Sequence, residues 1–186
     1  MNAEQAMLAI VDALEGAQIP YMLVGSFSSN YYGIARSTKD VDVVVELGPH
    51  SIRDVAQQLP AEFEFDAQMR FETVTGTTRQ LIRVLGTPFQ IELFRLSSDA
   101  HDQERFRRRR RIRMFEREVW LPTAEDVLVT KLNWLKLAAR GKDREDVVNV
   151  IATQRDAIDW NYVYRWCDQH GTQELLDEIR RSIPPI

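Results

Sequence analysis

Two acidic residues spaced two apart, Asp40 and Asp42, open the run Asp40-Val-Asp-Val-Val-Val-Glu46. Its β-branched residues predict a strand. Side chains on a strand return to one face every second residue, so both carboxylates project together, about 6 to 7 Å apart at the backbone. Two carboxylates aimed at one point call for a cation, and hard oxygen donors suit Mg²⁺ or Mn²⁺. A third carboxylate from a neighbouring strand would complete a site for two such ions roughly 3.5 to 4 Å apart, one activating an attacking hydroxyl and one steadying a leaving phosphate. Glu92, between Ile91 and Leu93, is the best candidate, because Glu64 and Asp66 sit in a segment without clear strand character. The plainer alternatives are a solvated strand start for Asp40 and Asp42 and a surface glutamate for Glu92.

Upstream, Gly25-Ser26 follows the short apolar run Tyr21-Met-Leu-Val24 and precedes a helical stretch through Tyr32. Free backbone N–H groups at such a strand-to-helix turn, with the helix dipole behind them, favour an anion such as a triphosphate, to which Ser26 could add its hydroxyl. The alternative is that Ser26 only caps the helix and Gly25 only permits the turn. A third chemical feature is the crowd of arginines at Arg105, Arg107 to Arg111 and Arg113 in a chain of net charge −4. Such a stripe attracts a polyanion in a salt-dependent way. It is equally a solvated helix or edge strand with Phe106, Ile112 and Phe115 turned inward and its arginines paired with Asp102, Glu104, Glu116 and Glu118.

The elements that must position these residues are legible in outline. Met7, Leu8, Ile10, Val11 and Leu14 make a helical stripe over residues 3 to 15, ended by Gly16. Tyr21–Val24 reads as a buried strand, Ser26 as the cap of a helix ended by Gly33, and residues 40 to 46 as the next strand. Gly48-Pro49 opens a helix through about Leu59, which Pro60 closes. From Phe71 to Phe94 β-type segments alternate with turns at Gly76 and at Gly86-Thr-Pro88, as for antiparallel strands, and Glu118–Leu121 reads as an edge strand. Beyond Pro122 the pattern turns helical. Thr123 and Asp126 have cap spacing, Leu128, Leu132, Leu135 and Ala139 form a stripe, and Asp143, Asp159 and Thr172 are candidate starts of three further helices.

With 186 residues, 44% hydrophobic and 28% charged, the chain can bury a proper core in one domain or one domain with an appendage. No apolar stretch approaches the roughly 20 residues of a membrane helix. The N-terminus has neither the basic region nor the cleavage pattern of a signal peptide. The single cysteine, Cys167, reads as a helix packing residue and favours a reducing compartment. The expectation is a cytoplasmic protein with no membrane partner.

Gly25-Ser26, Arg36, Thr38, Asp40, Asp42 and Glu92 together resemble the minimal nucleotidyltransferase superfamily of DNA polymerase β-like fold: a GS turn, a D-x-D on the next strand and a later acid. The stretch GSFSSNYYGIARSTKDVDVVV is similar to the AbiEii/AbiGii-toxin type, in which an R-x-T-x-D-x-D run precedes the metal-binding strand. LVTKLNWLKLAARGKDREDVVNVIA, with Lys131, Lys142, Asp143 and Asp146, extends the likeness into the helical part. Departures are the Glu at the third acid, where Asp is more usual, and the spacing from Lys142 to Asp146.

The resemblance implies an α+β architecture, with a twisted mixed β-sheet and flanking helices over residues 1–121. A C-terminal helical bundle over 122–186 would form the other wall of a nucleotide cleft. It further implies that Asp40, Asp42 and Glu92 hold Mg²⁺ or Mn²⁺ and carry catalysis, and that Gly25, Ser26, Arg36, Thr38, Lys131 and Lys142 bind the NTP. The acceptor hydroxyl would lie on RNA or tRNA, a protein or a small molecule, and the chain could be the toxin partner of an antitoxin protein. Lys131 and Asp143 also have plainer readings, as a solvated lysine and a helix cap. A rival reading is a catalytically degenerate module that binds nucleic acid or a protein partner through Arg105–Arg113.

Overall fold

The computed structural model describes residues 1–66, 68–73 and 76–184. The chain divides into two compact units, Met1–Phe27 with Ser37–Leu121, and Ser28–Arg36 with Pro122–Ile186. The last change of unit falls at Leu121/Pro122, and the nine residues Ser28–Arg36 go with the helices.

The first unit is built on a six-stranded sheet. Its opening helix, α1 (Ala3–Gly16), starts at a reciprocal cap in which Asn2 Oδ1 accepts from the Gln5 amide at 2.8 Å and Gln5 Oε1 from the Asn2 amide at 2.9 Å. Its apolar stripe buries Met7, Ile10, Val11 and Leu14. The sheet strands are β1 (Tyr21–Leu23), β2 (Asp40–Val45), β3 (Phe63–Phe65), β4 (Arg70–Glu72), β5 (Thr77–Val84) and β6 (Gln90–Arg95). They run in the order β1-β2-β6-β5-β3, with β4 also on β5. β2 and β6 are parallel and the other pairs antiparallel, so the sheet is mixed.

Alternation along β2 decides which side chains meet water. Val41, Val43 and Val45 pack with Ile91, Leu93 and α1 in the main core. On the opposite face Val44 and Phe94 join Met22, Val24 and Phe106 of α4 (Ala100–Arg108) in a smaller cluster. That cluster covers only one end of the face. Asp40, Asp42, Gln90 and Glu92 share it at the other end and remain half-exposed.

Several local expectations are corrected. The helix placed at Gly48–Leu59 is one short turn pair, α3 (Ile52–Ala56), capped from Ser51, whose amide donates to Asp54 Oδ2 at 2.7 Å. Gly48 itself has φ +52°, a left-handed turn conformation outside any helix. The segment holding Glu64 is a strand, because Phe63 and Phe65 flank Glu64 in period two and β5 supplies a partner. The arginine run splits between α4 and a hairpin of β7 (Arg110–Met114) and β8 (Arg117–Leu121). Phe115 and Glu116 form its turn at φ 49° and 61°, the positive pair a tight hairpin needs. Phe106 is buried and Ile112 packs on the core as expected, whereas Phe115 at the turn is exposed.

The second unit holds most of α2 (Gly25–Tyr32), α5 (Ala124–Ala138), α6 (Gly141–Gln154), a 3₁₀ turn (Arg155–Ala157), α7 (Trp160–His170) and α8 (Gln173–Ser182). Thr123 Oγ1 caps α5 by accepting from the Asp126 amide, and Asp159 Oδ1 caps α7 by accepting from that of Tyr162. Leu128, Leu132, Val147, Val150, Val163, Cys167, Leu176 and Ile179 form its core. Burial pushes the Cys167 thiol pKa up, which suits a packing residue. The end of α2 is fixed by Tyr32, whose hydroxyl donates to Pro122 O at 2.9 Å and whose carbonyl accepts from Gln154 Nε2 at 2.8 Å. Asp143 is not a cap: α6 begins two residues earlier, with Arg140 at the cap position and Asp143 fully buried in the first turn. Among the described residues no helix is long and apolar enough to cross a membrane.

Candidate functional site

The parallel register of β2 and β6 brings the separated acids together. Asp40 pairs with Gln90 and Asp42 with Glu92, so four polar side chains stand on one face of two adjacent strands. Neighbouring strands lie about 4.8 Å apart, within reach of a shared ligand. Gln90 Nε2 donates to Asp40 Oδ1 at 2.9 Å and to Glu92 Oε1 at 3.2 Å, an amide bridging two carboxylates. Arg79, across the sheet on β5, donates from Nη1 to Glu92 Oε2 at 2.5 Å, and its Nε lies 3.7 Å from Glu72 Oε2. Among the described residues no group of three His, Cys, Asp or Glu side chains is arranged to hold a metal ion. At this face Glu92 is engaged by Arg79 and Gln90.

The Gly25 turn is built against Asp42. The Val24 amide donates to Asp42 O at 2.9 Å, and Gly25 opens α2 at φ +59°. A Cβ at Gly25 would overlap the Asp42 carboxylate, so this position demands glycine twice over, by backbone conformation and by space. Ser26 is the second residue of α2 and not its cap. Its place in the first turn keeps it at the positive end of the helix dipole. Thr38 Oγ1 donates to Asp40 O at 3.1 Å and accepts from the Asp40 amide at 3.3 Å, which fixes the chain as it enters β2.

The remaining candidates lie in the helical unit, where Lys131 and Arg36 join an ion cluster around two buried acids. Lys131 Nζ sits 2.9 Å from Asp143 Oδ1 and 2.8 Å from Asp146 Oδ2, with all three side chains nearly or fully buried. Arg36 makes a two-pronged contact with Asp146, Nε to Oδ1 at 3.1 Å and Nη2 to Oδ2 at 3.2 Å. Arg140 Nε completes the set at 2.8 Å from Asp143 Oδ2. Burial alone would raise the Asp146 pKa, but hydrogen bonds from Arg36 and Lys131 and their charges bring it below the ordinary carboxylate value. The hydrogen bond to Asp146 in turn raises Arg36. Lys142 is exposed at the start of α6.

The arginine run is extensively paired. Arg105 bonds Asp102, Arg107 meets Glu104, Arg111 lies 3.2 Å from Glu118 and Arg113 contacts Glu116. Arg109 stacks 4.0 Å over Phe106, and burial lowers its pKa. Sequence reasoning missed Gln90 and Arg79. Gln90 had a signal, two residues before Glu92 on one strand, whereas Arg79 had none, because its place depends on the β5–β6 register.

No protein-family model matches the sequence, and no curated protein matches it. The fold is similar to solved nucleotidyltransferases. ANT(2'')-Ia in complex with adenylyl-2''-tobramycin aligns over 89% of this chain and 97% of its own, with TM-score 0.61 and 7% identity. An antigenic nucleotidyltransferase-like protein from Paracoccidioides brasiliensis covers 100% of this chain and 96% of its own at TM-score 0.57 and 16% identity. The lincosamide antibiotic adenylyltransferase LnuA, bound to lincomycin, covers 82% and 98% at 0.54 and 12%. At such identities the likeness is one of fold.

Proposed function

We propose that this chain is a nucleotidyltransferase that moves a nucleoside monophosphate from an NTP to an acceptor hydroxyl. The observation that carries the reading is the union, on a nucleotidyltransferase-like sheet, of the Asp40 and Asp42 face with a Gly25 turn moulded around Asp42. Asp40 and Asp42 are the acids assigned to the chemistry, and Glu92, the third acid of the motif, stands beside Asp42 on β6. The oxygen donors of Asp40 and Asp42 fit Mg²⁺ or Mn²⁺, which when bound supplies Lewis-acid stabilisation of phosphate charge. The amides of the Gly25-Ser26 turn and the Ser26 hydroxyl bind the phosphates, and Thr38 holds Asp40 in register. The acceptor oxygen bonds to the α-phosphorus, the bond to the β-phosphate bridge breaks, and pyrophosphate leaves with that electron pair. A carboxylate of the face takes the hydroxyl proton. Of the basic residues that the resemblance gives to the nucleotide, Lys142 is exposed, Arg36 is partly exposed, and Lys131 acts through the Asp146 it shares with Arg36.

The acceptor classes are RNA or tRNA, a protein and a small molecule. The tobramycin adduct and lincomycin held by two proteins of this fold support the last. A toxin role, an antitoxin partner and a cytoplasmic location belong to the same proposal on the AbiEii-like motif. The rival module docking through Arg105–Arg113 is weakened by the pairing of those arginines with acids of their own segment.

Calorimetric titration of the four ribonucleoside triphosphates with and without Mg²⁺ tests the proposal. The wild type should bind one or more of them only with metal. The Asp40→Asn, Asp42→Asn double variant should lose this binding and at least about a hundredfold in turnover. Equal binding by a folded double variant would overturn the assignment.

A further inference from the structure

Glu92 is the acid that the motif pairs with Asp40 and Asp42, yet each of its two oxygens already accepts a hydrogen bond from a neighbouring side chain. Oε2 accepts from Arg79 Nη1 at 2.5 Å and Oε1 from Gln90 Nε2 at 3.2 Å. The same Gln90 amide holds Asp40 Oδ1, so the hydrogen bonds tie Asp40, Gln90, Glu92 and Arg79 into one chain across β2, β6 and β5. The Arg79 side chain remains 26% exposed beside these contacts. Arg79 Nε is buried, makes no hydrogen bond among the described residues and lies 3.7 Å from Glu72 Oε2 in an ion pair, so any further ligand must meet the outer edge of the guanidinium. A guanidinium anchored by carboxylates at one edge and open to solvent at the other is suited to two oxygens of a tetrahedral anion such as a phosphate.

We propose that Glu92 is the anchor of Arg79 and not a metal ligand. The face then holds one divalent cation, on Asp40 and Asp42, and Arg79 takes the place of a second against the nucleotide's phosphates. The inference rests on the transferase reading but adds a residue that the motif does not contain. It also explains why the third acid is a glutamate: its extra methylene lets the carboxylate reach a guanidinium diagonally across the β5–β6 register, where Glu92 faces Leu81 and Arg79 faces Phe94.

The test counts bound Mn²⁺ by electron paramagnetic resonance in the presence of inorganic tripolyphosphate, a probe that needs no knowledge of the base or acceptor. The wild type should bind a single Mn²⁺. Glu92→Gln should keep it within about twofold in affinity, and Asp42→Asn should lose it. Arg79→Met should weaken tripolyphosphate about ten- to hundredfold with the Mn²⁺ count unchanged, and Arg79→Lys should recover part of the loss. Adding Glu92→Gln to Arg79→Met should cost nothing more, as for residues acting through one contact. Thermal unfolding of each variant separates these effects from misfolding. Two Mn²⁺ in the wild type, one of them lost in Glu92→Gln, overturns the inference and leaves the transferase reading standing. No Mn²⁺ bound by folded wild type overturns both.

Discussion

The two units of this protein each gather acids and cations, and they do so to opposite ends. In the helical unit Asp143 and Asp146 are buried, and Lys131, Arg36 and Arg140 bring three cations to two carboxylates, with oxygens and N–H groups matched at 2.8 to 3.2 Å. In the sheet unit Asp40 and Glu92 share one neutral amide, and Glu92 and Glu72 share one guanidinium, on a half-exposed face. Burial of charge is tolerated only when it is compensated, so the helical cluster must be complete before any ligand arrives. On the half-exposed sheet face solvent screens the acids, so fewer internal cations are needed there. The buried acids of the helical unit are held by counter-charges inside the fold, as a structural cluster requires.

The comparison breaks most readily in the helical unit. Lys131→Met should remove about 3 to 5 kcal/mol of stability, because it leaves Asp143 and Asp146 in the interior without their shared cation. Urea unfolding followed by tryptophan fluorescence checks this, since all four tryptophans include three in this unit, Trp134, Trp160 and Trp166. An effect below about 1 kcal/mol would mean that Arg36 and Arg140 suffice. In the sheet unit Gly25→Ala should cost about 1 to 2 kcal/mol for the left-handed backbone alone. Its larger consequence is displacement of the Asp42 carboxylate, seen as loss of metal-dependent nucleotide binding in calorimetry.

A pH titration sharpens the contrast. The pKa of Asp146 is lowered in the fold, so its ionisation stabilises the native state above the unfolded carboxylate value of about 3.9. That contribution is lost as pH falls through the lower native value. Thermal unfolding of Asp146→Asn should therefore be less steep in pH below about 4 than that of the wild type, although the variant is less stable at pH 7.

Local periodicity made much of the molecule legible. The stripe in residues 3 to 15, the strand from Asp40, the strand from Gln90 and the starts at Thr123, Asp159 and Thr172 all rest on contacts within a few residues, which sequence displays directly. The misjudged elements depended on more distant partners. Residues 63–65 become a strand because β5 is there to pair with them, and the helix expected from Gly48 is held to five residues by a start at Ser51. Asp143 reads as a cap when only its own helix is considered; it is held by Arg140 at the start of that helix and by Lys131 on α5, twelve residues away.

Taken alone, the sequence determined that Asp40 and Asp42 point one way, since alternation along a strand is a property of the backbone itself. It also determined that Gly25 stands at a strand-to-helix turn. Only the tertiary structure decided that Asp42 lies beside Glu92, that Arg79 and Gln90 claim that glutamate, and that Lys131 is an interior cation with two carboxylates around it. Those facts turn on strand register and on the meeting of helices far apart in the chain. The energy of a charge depends on which groups surround it in space, and no spacing along the sequence records that.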